Sequence, residues 1–451
     1  MRHDDQVTRR SSILDGNSFR AENAAGLDER TLALAGRREM LGPAYRLFYR
    51  TPVHLVRGEK AHLFDADGLE YLDAYNNVVS VGHAHPRVVA AVAEQAAALN
   101  THTRYLHEAI LRYSEELLAT LPGMDRVMYL CTGSEANDLA IRVARYATGH
   151  RGVIVTSEAY HGNTDLVSGM SPALGGGQAV HPEVRVVPAP DPALAAADGF
   201  PATPEGTSEW FAGHVRAAVA SLDEAGDGVA ALLVDAVFSS DGIFPARVLG
   251  PAVAAVRAAG GLFVADEVQP GFARTGEEFW GHLRHGLQAD VVTTGKPMGN
   301  GIPVSAMATR AEVLEPFATT VPYFNTFGGN PVSIAAAQAV LDVIRDEGLQ
   351  AHALTLGTSF RAELSRVAAG HDEVGEVRGV GLYTGVEIVG ESGEPDAARA
   401  LDVVEGLRDR RVLTSVCGPH NNVLKVRPPL PFTAADIAWF CEALDETLAR
   451  P

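Results

Sequence analysis

Three short stretches hold residue types that could act together. In "VVTTGKPMGNGIP", residues 291–303, an apolar run ends on Lys296, bracketed by Gly295 and Pro297. Surface lysines usually lie on the polar stripe of a helix, and Pro297 forbids a simple helical continuation. An amine at the end of a buried strand loses hydration, its pKa falls, and it becomes a nucleophile for an aldehyde. In "FVADEVQ", 263–269, Asp266 and Glu267 close another apolar run. A buried carboxylate needs a cation or hydrogen-bond donors. A structural ion pair would satisfy Asp266, and so would a protonated heterocyclic nitrogen. In "CTGSEAN", 131–137, Gly133 permits close backbone approach and Ser134 brings a hydroxyl. The helix start there offers free N–H groups to an anion. A plain N-cap by Thr132 or Ser134, with Glu135 in the first turn, explains the same letters, and the two readings are compatible.

Strands and helices must bring these stretches together. From about residue 125 the sequence alternates between them: "RVMYLC" before "TGSEANDLAIRVARYATG", "GVIVTSE" before "AYHGN", then "VRVVPAP". A helix near 208–224 precedes the strand "VAALLVDAV"; the helix "LGPAVAAVRAAG" (249–260) precedes "GLFVADEV" and "DVVTTGK". Such alternation predicts a mainly parallel sheet covered on both faces. Ligands bind such sheets outside the carboxyl ends of the strands, where all three stretches fall. An anion cradle, a carboxylate and an amine are the three anchors of pyridoxal phosphate: its phosphate, its ring nitrogen and its aldehyde.

The flanking regions read differently. The first 40 or so residues are polar and predict an irregular arm, and 54–74 predicts short strands around a turn at Asp67-Gly68. Residues 85–100 and 108–123 read as helices, the second stopped by Pro122-Gly123. After about residue 330 the chain becomes helix-rich, with 330–348 the clearest helix and "GVGLYTGVEI" (379–388) a strand region. The expected division is an N-terminal arm and small-domain segment over 1–75, a large cofactor-binding domain over 76–335, and a C-terminal small domain over 336–451.

Composition narrows the class. Hydrophobic residues make up 46% and charged residues 21% of 451, ordinary for a globular protein. A formal charge of −19 argues against a nucleic-acid partner, which needs a concentrated basic face. Cys131, Cys417 and Cys441 are odd in number and far apart, so neither a disulfide framework nor a metal site is expected. The amino terminus has no apolar signal region, and no apolar run approaches the ~18 residues of a membrane span. A cytoplasmic protein is the expectation. No GxGxxG opens a helix after the first strand, which disfavours a dinucleotide-binding dehydrogenase.

The stretches "CTGSEANDLAIRVAR", "AYHGN", "ADEVQPGFARTG", "TGKPMGNGIP" and "FNTFGGNPV" resemble the signatures of class III (subgroup II) pyridoxal-phosphate-dependent aminotransferases, from about residue 43 to 431. The resemblance implies fold type I: a large domain with a mainly parallel seven-stranded sheet, and a smaller α+β domain from both termini. It implies that Lys296 forms a Schiff base with the cofactor and later shuttles a proton, and that Asp266 pairs with the ring nitrogen. It places Gln269 on the ring hydroxyl, Val268 and Tyr160 on its two faces, and Thr132, Gly133 and Ser134 at the phosphate, with His161 as a structural hydrogen-bonder. It also implies a homodimer, open to pairing into a tetramer, in which Thr326 reaches the phosphate of the partner's cofactor.

The segments 42–58, 72–122 and 422–433 are especially similar to the branch holding ethanolamine-phosphate and phosphohydroxylysine phospho-lyases and their bacterial aminotransferase relatives. The leading expectation is therefore an aminotransferase moving an amino group from an amine or amino acid to a keto acid or aldehyde. The alternative is a phospho-lyase acting on a phosphorylated amino alcohol. Asn77, Phe238 and Arg427 are the candidate substrate contacts. Many family members have a Glu-Pro stretch where this chain reads "VDAVFSSDG" (234–242), which departs from a glutamate-based switch for the substrate carboxylate.

Overall fold

Where the polar arm gives way to branched and aromatic residues, three strands form: β1 (Leu55–Glu59), β2 (His62–Asp65) and β3 (Glu70–Asp73). They pair antiparallel, with Gly68 taking the left-handed φ of +83° that the turn requires. The computed structural model describes Ser12, residues 16–42 and residues 44–450. Part of the expected irregular arm lies outside the described residues, and the remainder corrects that expectation: Glu29–Arg37 is an α-helix. Asp28 caps it, its carboxylate accepting the Thr31 N–H at 2.9 Å.

β4 (Arg126–Leu130), β5 (Gly152–Thr156), β6 (Val184–Val187), β7 (Val229–Val234), β8 (Leu262–Asp266), β9 (Val291–Thr294) and β10 (Ser305–Thr309) make the seven-stranded sheet. Their order is β4-β10-β9-β8-β7-β5-β6. Only β10 opposes the others, pairing antiparallel with β4 and β9. Side chains alternate between two cores, as strand pleating demands. Val153, Leu233, Val264 and Val291 meet Ala136, Leu139, Ala140 and Val143 of the helix Gly133–Thr148. Ile154, Leu232, Phe263 and Val292 face the other core, which holds Trp210, Phe211 and Val215 of the helix Pro204–Glu224.

Further along lie β11 (Val374–Val380), β12 (Tyr383–Ile388), β13 (Val412–Leu413), β14 (Ser415–Cys417) and β15 (Val423–Val426). The region read as one strand over 379–388 is a hairpin: the turn falls at Gly381, φ +52°, where a Cβ would stand 2.4 Å from the Arg274 carbonyl. β13 pairs in parallel with β3, so the late chain completes the first sheet. β11-β12-β15-β14 form a third sheet, in which Gly385, Lys425 and Ser415 stand level across three strands. No helix among the described residues is long and apolar enough to cross a membrane.

Candidate active site

The carboxyl ends of β4, β5, β7, β8 and β9 surround a cavity of about 380 Å³ lined by residues that include Gly133, Tyr160, Asp235, Asp266, Val268 and Lys296. At one end of it, Thr132 caps the helix Gly133–Thr148. Its hydroxyl accepts the Glu135 N–H at 3.2 Å, and Glu135 accepts the N–H groups of Cys131 and Thr132 at 3.0 and 2.9 Å. The capping reading is thus realised, and the box fixes Gly133 and Ser134 at the first helical positions, where backbone N–H groups have no intrahelical partner. A Cβ on Gly295 would lie 3.1 Å from the Gly133 nitrogen, and one on Gly162, φ +141°, would lie 2.6 Å from the Ser134 hydroxyl. Glycine at both places keeps two further side chains off the helix start, where Val268 already packs on Gly133.

Asp266 ends β8 and is buried. One carboxylate oxygen accepts His161 Nδ1 at 2.7 Å and Asn137 Nδ2 at 2.9 Å, and the other accepts the Val268 N–H at 3.0 Å. Burial pushes the Asp266 pKa up, but the His161 hydrogen bond and charge, with Val268 and Asn137, more than offset it and hold the group below its usual value. The neighbouring Glu267 is fully buried and turned away, accepting the N–H groups of Gly281 and His282 and the His282 ring. The two acids of "ADEV" therefore divide: Asp266 faces the cavity and Glu267 braces a turn.

Lys296 follows β9 into the cavity. Burial and then the charge of Arg427 lower its pKa from 10.5 to about 8, against the opposing pull of Asp266 and Asp235. Such an amine is neutral in roughly a fifth of molecules near physiological pH, a far larger share than an ordinary lysine offers. Val268 packs on Gly133, and Tyr160 lines the cavity. Gln269 lines it too, but its amide is engaged: Nε2 donates to Ser239 Oγ at 2.6 Å, and Oε1 accepts from Tyr383 at 3.1 Å and from Arg427. Arg427 and Asn77 sit behind Gln269, the guanidinium donating to Asn77 Oδ1 at 3.1 Å and lying 4.4 Å over the Tyr75 ring.

Four expected residues do not line the cavity: Arg427 and Asn77, joined to it through Gln269, and two placed elsewhere. Phe238 does not line the cavity: its backbone turns at φ +53° and sends the ring into the core, edge-on to Phe211 at 5.9 Å. Thr326 is exposed and lies away from the cavity of its own chain. Sequence reasoning missed Asn137, which joins Asp266 and the His161 carbonyl and accepts Thr293 Oγ1 at 2.5 Å. Its signal was a buried amide one turn into the helix, a group that must find partners. Asp235 was also missed as a cavity group; burial raises it to about 6 despite hydrogen bonds from Ser239 and Val237.

An α/β sheet with an amine, a carboxylate and a glycine-lined helix start at its carboxyl edge defines a pyridoxal-phosphate site of fold type I. The chain belongs to the class-III aminotransferase family, which it matches over residues 48–448. It is 39% identical over 423 residues to an alanine–glyoxylate aminotransferase 2-like protein of Drosophila melanogaster, covering 91% of this chain and 86% of that one. It is 37% identical over 434 residues to ethanolamine-phosphate phospho-lyase homolog 1 of Caenorhabditis elegans, covering 92% of each. Among solved structures, a phospholyase from Arthrobacter in complex with phosphoethanolamine is 42% identical, with a TM-score of 0.88, covering 93% of this chain and all 100% of that one. The cofactor is pyridoxal phosphate. The residues fit it: a glycine-cleared helix start for its phosphate, an anionic carboxylate for its ring nitrogen and a depressed-pKa amine for its aldehyde.

Proposed function

We propose that the chain is a phospho-lyase, eliminating phosphate and ammonia from a phosphorylated amino alcohol such as phosphoethanolamine. The observation that supports this most is the setting of Arg427. It is about 6% exposed, its partners Gln269, Asn77 and Tyr75 are neutral, and it makes no ion pair among the described residues. A transaminase admits two substrates in turn, and an arginine meant for one of them needs a carboxylate to neutralise it when the other enters. The segment after β7 offers none to Arg427: Asp235 is tied to Ser239 and Val237, and Asp241 to Thr156 and the Glu158 N–H. A permanent cation suits an enzyme whose single substrate is always an anion.

Pyridoxal phosphate, when bound, supplies the electron sink that makes the hydrogen on the amine-bearing carbon acidic. Thr132, Gly133 and Ser134 would hold its phosphate, Asp266 its ring nitrogen, and Val268 and Tyr160 its faces. Lys296 takes the proton from the amine-bearing carbon, as its lowered pKa permits. Arg427 anchors the anionic end, so the neighbouring C–O bond is the one that breaks, the phosphate leaving with its electron pair. The vinylamine that remains takes up water and parts into aldehyde and ammonia. No keto acid is consumed.

Transfer is the second reading, favoured by the relatives whose names are aminotransferases. Incubating holoenzyme with phosphoethanolamine alone and measuring phosphate and ammonia decides between them. Equal release of both without a keto acid is expected; amino transfer to a keto acid with no phosphate release would sink the elimination reading. The enzyme works as a homodimer in this reading, with exposed Thr326 completing the partner's phosphate site.

A further inference from the structure

Buried cations are rare unless something anionic faces them. Lys425 on β15 is about 5% exposed, and its ammonium makes no ion pair or hydrogen bond among the described residues. It shares a sheet face with Ser415, its direct partner on β14, and with Tyr383, two residues from its β12 partner Gly385. Tyr383 reaches Gln269 of the cavity at 3.1 Å, so this face looks toward the active site. Arg427, two residues on, meets the same Gln269. The neighbouring Cys417 offers no counter-charge, since burial pushes its thiol up.

A second chain segment supplies an independent observation. Asn17 is about 6% exposed, and its Oδ1 accepts the Ser415 hydroxyl at 2.9 Å. That bond fixes the amide beside the residue level with Lys425, while Asn17 Nδ2 is buried without a partner. Arg427 Nε and Asn77 Nδ2 are likewise buried donors with no acceptor. Four buried polar side chains, Lys425, Arg427, Asn17 and Asn77, thus have donors that no acceptor among the described residues takes up, Arg427 as a fixed cation and Lys425 as an amine that burial and then Arg427 bring down to about 7 against the pull of Asp235. A carboxylate monoanion matches one guanidinium. A guanidinium, two amides and an amine that takes up its proton as an anion arrives match a phosphate dianion.

We infer that Lys425 and Asn17 complete, with Arg427, a subsite for the phosphate of a phosphorylated amine, making the amino-terminal segment part of the substrate site. This deepens the elimination reading and rests on it for the substrate, but not for the anion. Lys425→Met removes the charge at similar length, and Asn17→Asp puts a carboxylate where a donor stood. With holoenzyme that keeps its visible cofactor absorbance, each variant should raise the KM for phosphoethanolamine about tenfold or more, with kcat changed much less. Inhibition by inorganic phosphate should weaken in parallel, and Lys425→Arg should restore most of both. An unchanged KM and unchanged phosphate inhibition in either variant overturns the subsite. Should the natural sequence release no phosphate from phosphoethanolamine, the elimination reading falls alone. Calorimetric binding of inorganic phosphate then reads the subsite: binding lost in Asn17→Asp and Lys425→Met upholds it, and equal binding in all three proteins overturns it.

Discussion

Lys296 is set apart from an ordinary lysine by what surrounds it. Burial and Arg427 both oppose its charge, while Asp266 and Asp235 keep the pKa from falling below about 8. An amine attacks an aldehyde only when neutral, so the sign is fixed. Capture of added pyridoxal phosphate by the apo-protein should quicken as pH rises toward 8 and level off above it, followed by visible absorbance. A lysine with the ordinary value of 10.5 would still be quickening at pH 10. Lys296→Ala should cut phosphate release by at least about 10²–10⁴-fold, the range for losing a positioned acid–base group. Asp266→Asn should keep the contact with His161 yet remove the charge, lowering kcat by about 10²-fold or more while the far-ultraviolet dichroism stays unchanged.

At the scale of elements, the helix start and the two strand ends depend on close backbone contact. Gly295→Ala would drive a Cβ to 3.1 and 3.2 Å from the backbone of Gly133. Backbone cannot swing aside as a side chain can, so cofactor affinity should fall about tenfold, by titration of the apo-protein, with a smaller loss of thermal stability. Much of this was legible because apolar runs ended in glycine, threonine, aspartate and lysine, residues with little reason to lie at a buried strand's end except to bind. β10 was not legible: "SAMAT" is short and small-sided, and its burial comes from β4 and β9 on either side. Phe238 misled because an aromatic after a strand end points equally well into a cavity or away, and only the φ of +53° decides. Lys425 escaped notice for a related reason. In "NVLKVRP" alternation reads the lysine as facing water, and nothing local tells that other segments cover that face.

The whole molecule carries a surface that a lone chain leaves exposed. Leu106 is 99% and Phe327 69% exposed, and the segments bearing them are joined where His102 stacks on Tyr105 and meets Phe324 edge-on at 5.6 Å. An apolar patch of this kind is usual at subunit contacts. If the chain pairs as proposed above, Leu106→Asp with Phe327→Asp should shift the particle toward half its mass by light scattering and lower activity with it, since Thr326 lies beside Phe327; an unchanged mass would place the subunit contact elsewhere. The pairing of β3 with β13 has a different kind of consequence, one that concerns time. Residues 70–73 leave the ribosome more than three hundred residues before their neighbours at 412–413, and Asn17 and Tyr49 wait as long for Ser415 and Thr414. Until residues 412–413 are synthesised, β3 presents an open edge that invites pairing with other chains. Shielding of that edge until residues 412–413 emerge would suit such a topology.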